Sequence, residues 1–189
     1  MNAPTPPKAK RRNAVATKAK ILAAAQKAFA EIGYARAGIR DIAAIADVSS
    51  TLLIRYFGSK AALFEAALID AIEFRDLLSH GREGFGERLA QLFTDMDLEI
   101  TPPAIIALST GDPESRDIAA RVAREHTIAP MAEWLGPPHG EVRALEIFML
   151  STSFVLYSRQ LPLAPSGGES REELKQWLAQ SVQAIVNRR

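Results

Sequence analysis

The first third of the chain contains two short helical patterns of apolar and polar positions that follow one another closely. The first pattern covers residues 39–46 and the second covers residues 50–57, with residues 47–49 between them. Because so short a connection makes two helices cross at a steep angle, the spacing predicts a helix-turn-helix unit. Asp47 stands where the turn favours a left-handed residue, a conformation that Asp adopts more readily than most residues.

The apolar side chains of this unit form a seam, and the second helix carries polar groups outside it. The seam consists of Ile42, Ala43, Ala46 and Val48. The groups outside it are Ser49, Ser50, Thr51, Arg55 and Tyr56. A helix of this size fits the major groove of DNA, and these side chains bond phosphate oxygens or base edges. On spacing alone, a helix pair inside an all-helical core with a polar outer face fits the pattern equally well.

Helical patterns also cover most of the remaining chain, which predicts an all-α fold with about nine helices. Before the helix-turn-helix, residues 15–32 form a helix that Gly33 ends. After it, Ser59 caps a long helix that we expect to reach about residue 78, followed by a glycine-rich loop. The further predicted helices cover residues 85–96, 102–109, 114–135, 140–160 and 170–188, and Pro130 should kink or interrupt the third of these.

Residues on both sides of the helix-turn-helix occur at fixed spacing from it. The series is Thr17, Ile21, Leu22, Ala25, Phe29, Gly33, Tyr34, residues 39–43, Val48, Ser49, residues 56–60, Leu63 and Phe64. Over about fifty residues, this series resembles the DNA-binding domain of TetR-family transcriptional regulators. Three positions depart from the family pattern. Asp47 replaces the usual Gly, Leu52 replaces a Thr that often touches phosphate, and Ile54 replaces a common Tyr.

The resemblance implies three parts along the chain. Residues 1–13 are expected to be a disordered basic tail, since they are rich in Pro, Lys and Arg and have no apolar periodicity. Such a tail either aids solubility or adds salt-sensitive affinity for phosphates. Residues 14–60 are expected to form the helix-turn-helix DNA-binding domain, and residues 61–189 a helical domain for ligand binding and dimerisation.

The family pattern and the chemistry of the second helix together give the candidate DNA contacts. They are Thr17, Lys18, Gly38, Arg40, Ser49, Ser50, Thr51, Leu52, Arg55, Tyr56 and Lys60. Tyr56 and Lys60 are expected on phosphate, because Lys60 begins a helix whose positive end can hold an anion. Thr17 also suits a role as the cap of the first helix.

The last two predicted helices indicate a homodimer. Residues 145–157 are apolar on every side of the helix, and the final helix has two apolar edges. Pairing across a two-fold axis would bury both sets in a four-helix bundle, although a monomer with one well-buried helix is the alternative. The candidate interface residues are Leu145, Phe148, Thr152, Leu156, Leu174, Trp177, Leu178, Ser181 and Ile185.

The resemblance also implies an effector pocket within the C-terminal helices. Its candidate lining residues are Leu68, Phe93, Met96, Ile105, Leu108, His126, Met131, Trp134, Phe148, Met149 and Thr152. Each of them also suits ordinary core packing, and His126 stands out as a polar group on an apolar face. Because the set is apolar and aromatic, we expect a hydrophobic or aromatic effector.

The sequence contains no pattern typical of an enzyme. The chain has no cysteine, its three histidines are scattered, and no nucleophile elbow, P-loop or paired metal-ligand spacing occurs, so we expect no catalysis, metal or cofactor. The basic N-terminal residues are not followed by an apolar stretch, so we expect no secretory signal, and the apolar run 145–157 is too short to span a bilayer. We therefore expect a soluble, cytoplasmic protein that does not bind membranes.

The sequence thus predicts a ligand-responsive repressor that binds a palindromic operator as a homodimer. Its partners would be double-stranded DNA, a small-molecule effector and a second copy of itself. Two alternatives remain open. One is a DNA-binding dimer without an effector, and the other is a helical ligand- or partner-binding protein that has lost DNA recognition, for which Leu52 and Ile54 leave room.

Overall fold

The computed structural model of the chain describes residues 7–72, 75–161, 163 and 167–188. Within these ranges it contains helices and no strand, which confirms the all-α prediction. The helices are α1 (Pro7–Arg36), α2 (Ile39–Ile45), α3 (Ser50–Phe57), α4 (Lys60–Ala71), α5 (Arg75–Ser79), α6 (Phe85–Thr94), α7 (Pro102–Ser109), α8 (Pro113–Ala123), α9 (Ala129–Leu135), α10 (Gly140–Val155) and α11 (Gly168–Asn187). None of these described helices is both long and apolar enough to cross a membrane.

Helix α1 starts earlier than the sequence pattern predicts. Residues 7–13, expected to belong to a disordered tail, form the first turns of α1 in the structure. This segment consists mostly of Lys, Arg and Ala, which favour helix, and Pro7 suits a first helical position. Residues 1–6 of the predicted tail lie outside the described residues. At the other end Gly33 has φ 75° and ψ 165°, so the regular helix ends there as predicted.

Two hydrophobic cores organise the described helices. The first core joins α1–α4 to Ile105 of α7 and to Ala119 and Val122 of α8. The second core is formed by side chains of α6, α9, α10 and α11, among them Phe85 and Leu178. The first core therefore contains helices from both sides of residue 60, and the expected domain boundary there does not coincide with a boundary in packing.

The long helix predicted to follow Ser59 is divided in the structure. Helix α4 ends at Ala71, and Ile72 leaves the helical conformation with φ −90° and ψ 69°. Ile72 packs against the first core, whereas Leu77 and Leu78 of α5 pack against the second core. The two halves of the predicted helix thus serve different cores, which a single straight helix would not reach.

Pro130 interrupts the helix predicted over residues 114–135, as expected. A π-helical segment, Arg124–Ile128, joins α8 to α9, and Pro130 lies in the first turn of α9. Proline lacks an N–H and crowds the preceding turn, and a wider π turn accommodates both effects. A second π segment, Leu156–Gln160, extends α10. Two predicted helices are each divided into two, the one that follows Ser59 and the one over residues 114–135. The described residues therefore form eleven α-helices where about nine were predicted.

Close approach of α6 and α11 in the second core depends on Gly86. A Cβ added to this residue would lie 2.1 Å from the carbonyl oxygen of Ala179 in α11. The backbone N–H of Gly86 also donates to Oε1 of Gln183 at 3.0 Å. Since a backbone carbonyl cannot move without its helix, even a methyl group at position 86 would push the two helices apart.

We predict that Gly86→Ala lowers the free energy of unfolding by roughly 1–3 kcal/mol, the usual cost of overpacking a core. Urea unfolding followed by circular dichroism measures this change. Gly111→Ala is the matched control, because a Cβ at Gly111 would meet nothing within 4 Å. Equal stabilities of the two variants would contradict the assigned role of Gly86.

Candidate nucleic-acid interface and adjoining cavity

The turn between α2 and α3 has the backbone geometry expected from the sequence. Gly38 is the N-cap of α2 in extended conformation, and Asp47 adopts φ 53°, in the left-handed region. The N–H of Val48 donates to the carbonyl of Ala43 at 3.0 Å, which closes the turn. Leu53 of α3 is fully buried and completes the seam. Leu53 is absent from the predicted seam, because Leu52, Leu53 and Ile54 are consecutive apolar residues and their order alone does not show which one faces inward.

Helix α3 presents Thr51, Ile54 and Arg55 to solvent. Ser49, also exposed, caps the helix, since its Oγ accepts from the N–H of Leu52 at 3.1 Å. Thr51 and Arg55 are four residues apart and therefore lie on the same face of the helix. The remaining candidates on α3, which are Ser50, Leu52 and Tyr56, are half-buried. The exposed face of α3 is thus a compact polar surface with one apolar residue, Ile54.

Candidate contacts outside α3 lie on the neighbouring helices. Arg40 of α2 and Lys18 of α1 are exposed, and Nζ of Lys18 lies 5.9 Å from the ring centroid of Phe57. Nζ of Lys60 lies 4.4 Å from the ring centroid of Tyr34 and donates to the carbonyl of Ala35 at 3.4 Å. These contacts place two cationic groups close to the C-terminal end of α3 and the start of α4.

Thr17 does not cap a helix. It lies well inside α1, and its Oγ1 donates to the carbonyl of Asn13, one turn earlier, at 2.8 Å. The predicted cap role is wrong because α1 begins at Pro7 and the cap position lies before that residue. Ser59 does cap α4 as predicted, with its Oγ accepting from the N–H of Ala62 at 3.0 Å.

Polar side chains of α8 connect that helix to the helix-turn-helix region. The buried Tyr34 hydroxyl donates to Oε2 of Glu114 at 2.5 Å. Burial first, and then the Glu114 carboxylate, raise the pKa of Tyr34 well above its ordinary value, so its proton is retained. Arg121 forms a two-pronged ion pair with Glu65 of α4 at 2.7 and 2.9 Å. The hydrogen bond from Arg121 lowers the pKa of the Glu65 carboxyl.

A cavity of about 420 Å³ lies between helices of the first core and helices of the second core. Its walls come from α1, α4, α6, α7, α9 and α10, from residues 98–101 and from the π segment before α9. Four candidate pocket residues line it, which are Phe93, Met131, Phe148 and Thr152. Several polar residues that line the cavity were not predicted, among them Gln26, Asp70, Glu99, Thr127 and Ser151. No helical pattern marks them, because tertiary packing brings these separate segments together.

The other seven candidate pocket residues do not line this cavity. Leu68 and Ile105 are buried in the first core, and Met96, Leu108 and Met149 are exposed. Trp134 packs on Phe85, with ring centroids 4.8 Å apart. His126 is half-buried and close enough to Glu65 to lower the pKa of that carboxyl. These residues were predicted from apolar or aromatic character, which core, surface and cavity positions share.

The candidate interface residues on α10 and α11 are also divided by the structure. Leu178 is fully buried in the second core, and Phe148 and Thr152 line the cavity. Leu156, Leu174, Ser181 and Ile185 are half-buried, while Leu145 and Trp177 are exposed. Leu145 shares an exposed apolar stripe of α10 with Val142 and Met149. This α10 stripe, defined as Val142, Leu145 and Met149, has no apolar cover within the described part of the chain.

Two protein-family models match the sequence of the chain. Residues 21–67 match the model for bacterial regulatory proteins of the tetR family. Residues 83–186 match the model for the tetracyclin repressor-like C-terminal domain. No curated protein matches the sequence. The described ranges also contain no group of three or more His, Cys, Asp or Glu side chains that could hold a metal ion.

Solved structures share the fold at low sequence identity. A TetR-family transcriptional regulator from Rhodococcus sp. is 20% identical with a TM-score of 0.69, and the match covers 90% of this chain and 98% of that chain. A TetR-family regulator from Mesorhizobium loti is 19% identical with a TM-score of 0.62, covering 91% and 96%. A transcriptional regulator from Saccharomonospora viridis, solved in complex with choline, is 19% identical with a TM-score of 0.59, covering 88% and 95%.

The left-handed backbone at Asp47 leads to a prediction about stability. Replacing this exposed residue by Val should lower the free energy of unfolding by about 1–2 kcal/mol, since a β-branched side chain clashes in that conformation. Asp47→Gly should leave stability unchanged or raise it, because Gly adopts positive φ without a clash. Thermal and urea unfolding of the two variants measure the difference, and equal losses in both would show that the turn does not require positive φ.

Proposed function

The chain belongs to the TetR family of bacterial regulatory proteins, and on that premise we propose that it is a homodimeric repressor released from its operator by a small molecule. Membership of this family makes the chain a DNA-binding transcriptional regulator and not an enzyme. The repressor role, the palindromic operator, the effector and action in the cytoplasm are parts of the proposal.

The observation that carries this proposal is the position of α4. Its first residue, Lys60, follows directly on the turn after α3, and its last residues, Asp70 and Ala71, line the cavity. A ligand in the cavity therefore contacts the same helix that begins beside the DNA-reading surface. Arg121 of α8 is bound to Glu65 in the middle of α4. A shift of either helix would therefore displace the other.

A ligand would release DNA only if it favours the arrangement of α4 that does not fit the operator. A ligand that bound both arrangements of α4 with equal affinity would not change their populations, however tightly it bound. The cavity lining is mainly apolar, including Phe93, Met131 and Phe148, which supports a largely hydrophobic or aromatic effector.

DNA recognition is proposed to centre on Thr51 and Arg55 of α3, with Ser49, Ser50, Leu52 and Tyr56 close to the groove. Lys18, Gly38, Arg40 and Lys60, with Thr17, would lie near phosphates. Exposure of Arg55 next to Thr51 supports this assignment, because both side chains are free to approach a duplex. Two copies of α3 in a dimer would enter major grooves about 34–36 Å apart and read a palindrome.

Dimerisation is proposed through α10 and α11. The α10 stripe and the exposed Trp177 are apolar surfaces that a second copy would remove from water. Leu145 and Trp177 remain the strongest of the sequence-derived interface candidates, since Leu178, Phe148 and Thr152 are used within the subunit.

We predict that Arg55→Ala weakens binding to the operator by roughly tenfold, because an arginine contact to a base is worth about 1–3 kcal/mol. Lys60→Ala should weaken operator and random duplex about equally, as expected for a phosphate contact. The operator is first obtained by selecting genomic fragments with the purified protein, and gel shifts then give the affinities.

Arg116→Ala is the control for removal of a positive charge, because Arg116 is an exposed arginine of α8, outside the proposed interface. It should bind the operator like the original protein. Unchanged operator affinity in Arg55→Ala would reject α3 as the recognition helix.

We also predict that Met149→Glu dissociates the dimer, since it would bury a charge without a partner in an apolar interface. The side chain of Met149 is 55% exposed within one subunit, so the substitution should leave the subunit folded. Sedimentation velocity measures the change from dimer to monomer. Met96→Glu is the matched control, because Met96 is 69% exposed outside α10 and α11. A Met149→Glu protein that remains dimeric would place the interface elsewhere.

A further inference from the structure

Two buried hydroxyl groups on the cavity wall have no hydrogen-bond partner among the described residues. Thr127 is 5% exposed and Ser151 is 7% exposed, and both line the cavity. Neither Oγ1 of Thr127 nor Oγ of Ser151 forms a hydrogen bond within the described ranges. Both oxygens are closed off from solvent, so a ligand in the cavity reaches them only after the side chains turn towards it. Because burying an unpaired hydroxyl is unfavourable, a ligand group that then bonds to them gains binding energy.

Other hydroxyls on the helices of this protein behave differently. Oγ of Ser153 donates to the carbonyl of Met149 at 2.7 Å, and Oγ of Ser158 donates to the carbonyl of Phe154 at 2.7 Å. Bonding to the preceding turn is the common local solution for Ser and Thr in a helix. Thr127 lies in the π segment, a type of turn that often occurs at functional sites. The hydroxyls of Thr127 and Ser151 are therefore not used by the preceding turn.

The ionisable side chains that line the cavity are Asp70 and Glu99, both acidic and exposed. Asp70 already accepts a hydrogen bond from Nε2 of Gln26 at 2.9 Å. No Lys, Arg or His is among the described lining residues. Arg159 lies near this wall, but its guanidinium donates to backbone carbonyls, among them that of Asp95 at 3.0 Å. The cavity therefore offers an anion no cation to pair with.

We propose that the effector is an uncharged or positively charged amphiphile, and that carboxylate amphiphiles are excluded. This assignment rests on the proposed function, in which the cavity is the effector site. The apolar part of the ligand packs against Phe93, Met131 and Phe148. A hydroxyl, ether or carbonyl group of the ligand bonds to Thr127 and Ser151, whose hydroxyls both donate and accept.

Charge decides the rest of the selectivity. A positive group on the ligand lies towards Asp70 and Glu99, which attract it, while a carboxylate is repelled by both. A carboxylate placed at the two hydroxyls would also lose its hydration without gaining a counter-ion, which is costly in a buried site. Among ligands with alkyl chains of the same length, we therefore expect cationic and neutral ligands to bind more tightly than anionic ligands.

The first test compares three probes with the same alkyl chain, which are octylamine, 1-octanol and octanoate, at neutral pH on the full-length protein. Isothermal titration calorimetry gives the dissociation constants. We expect octylamine and 1-octanol to bind at least about tenfold more tightly than octanoate. Octanoate binding as tightly as 1-octanol, or binding by none of the three probes, would overturn the proposal.

The second test removes the hydroxyls with the smallest possible change of the side chains. Thr127→Val and Ser151→Ala should each weaken 1-octanol binding by about threefold to tenfold. Both variants should be at least as stable as the original protein without ligand, because an unpaired buried hydroxyl has been removed. A loss of stability with unchanged affinity would assign these hydroxyls a structural role and reject the proposal.

The third test removes the acidic charges. Asp70→Asn and Glu99→Gln should each weaken octylamine binding by about twofold to fivefold and leave 1-octanol binding unchanged. Asp97→Asn is the matched control, since Asp97 is an exposed acidic residue that is not among the cavity lining residues. If Asp97→Asn and Glu99→Gln changed octylamine binding equally, the carboxylates of Asp70 and Glu99 would have no specific role in binding.

Gel shifts with the selected operator separate this proposal from the proposed function. Loss of operator binding on addition of 1-octanol supports both. Probe binding in the expected order without release of operator supports the ligand class and rejects the cavity as the regulatory site. Operator binding with the reverse order of probe affinity rejects the ligand class and leaves the repressor function standing.

Discussion

A buried cluster of three aromatic rings, Phe29, Tyr34 and Phe64, joins α1 to α4 in the first core. The rings of Phe29 and Phe64 meet edge to face with centroids 5.0 Å apart, and those of Tyr34 and Phe64 lie 5.1 Å apart. Helices α7 and α8 contribute to the same core. The helix-turn-helix is therefore one side of a shared core, and α4 or α8 cannot move without disturbing the helices that position α3.

Through this shared core, a ligand in the proposed effector cavity would change the position of α3. The cavity lies where helices of the first core meet helices of the second. A ligand that changed the shape of the cavity would therefore shift helices of one core relative to helices of the other. Because Ile72 leaves the helical conformation, α4 is a short helix whose C-terminal end lies at the cavity. The proposed ligand would bond to the unpaired hydroxyls of Thr127 and Ser151 and so offset the cost of burying them.

Burial within one subunit also limits what the C-terminal helices can offer a second copy. The second core already uses Leu178 and Val182 of α11, and the tight contact at Gly86 places α6 against that helix. The apolar surface that remains exposed on α10 is the α10 stripe. The proposed dimer interface is thus what is left after the subunit has completed its own core, and this is a smaller set than helix periodicity suggests.

Sequence alone determined several local features of this protein, because a turn or a helix cap depends mainly on neighbouring residues. It correctly predicted both helices around Asp47, the cap at Ser59 and the interruption at Pro130, along with the family. Tertiary structure decided which apolar residues serve core, cavity or surface, since Leu68, Phe93 and Met149 look alike in a pattern and differ in their surroundings. It also decided where α4 ends and which polar groups meet at the cavity, because both depend on contacts between segments far apart in the chain.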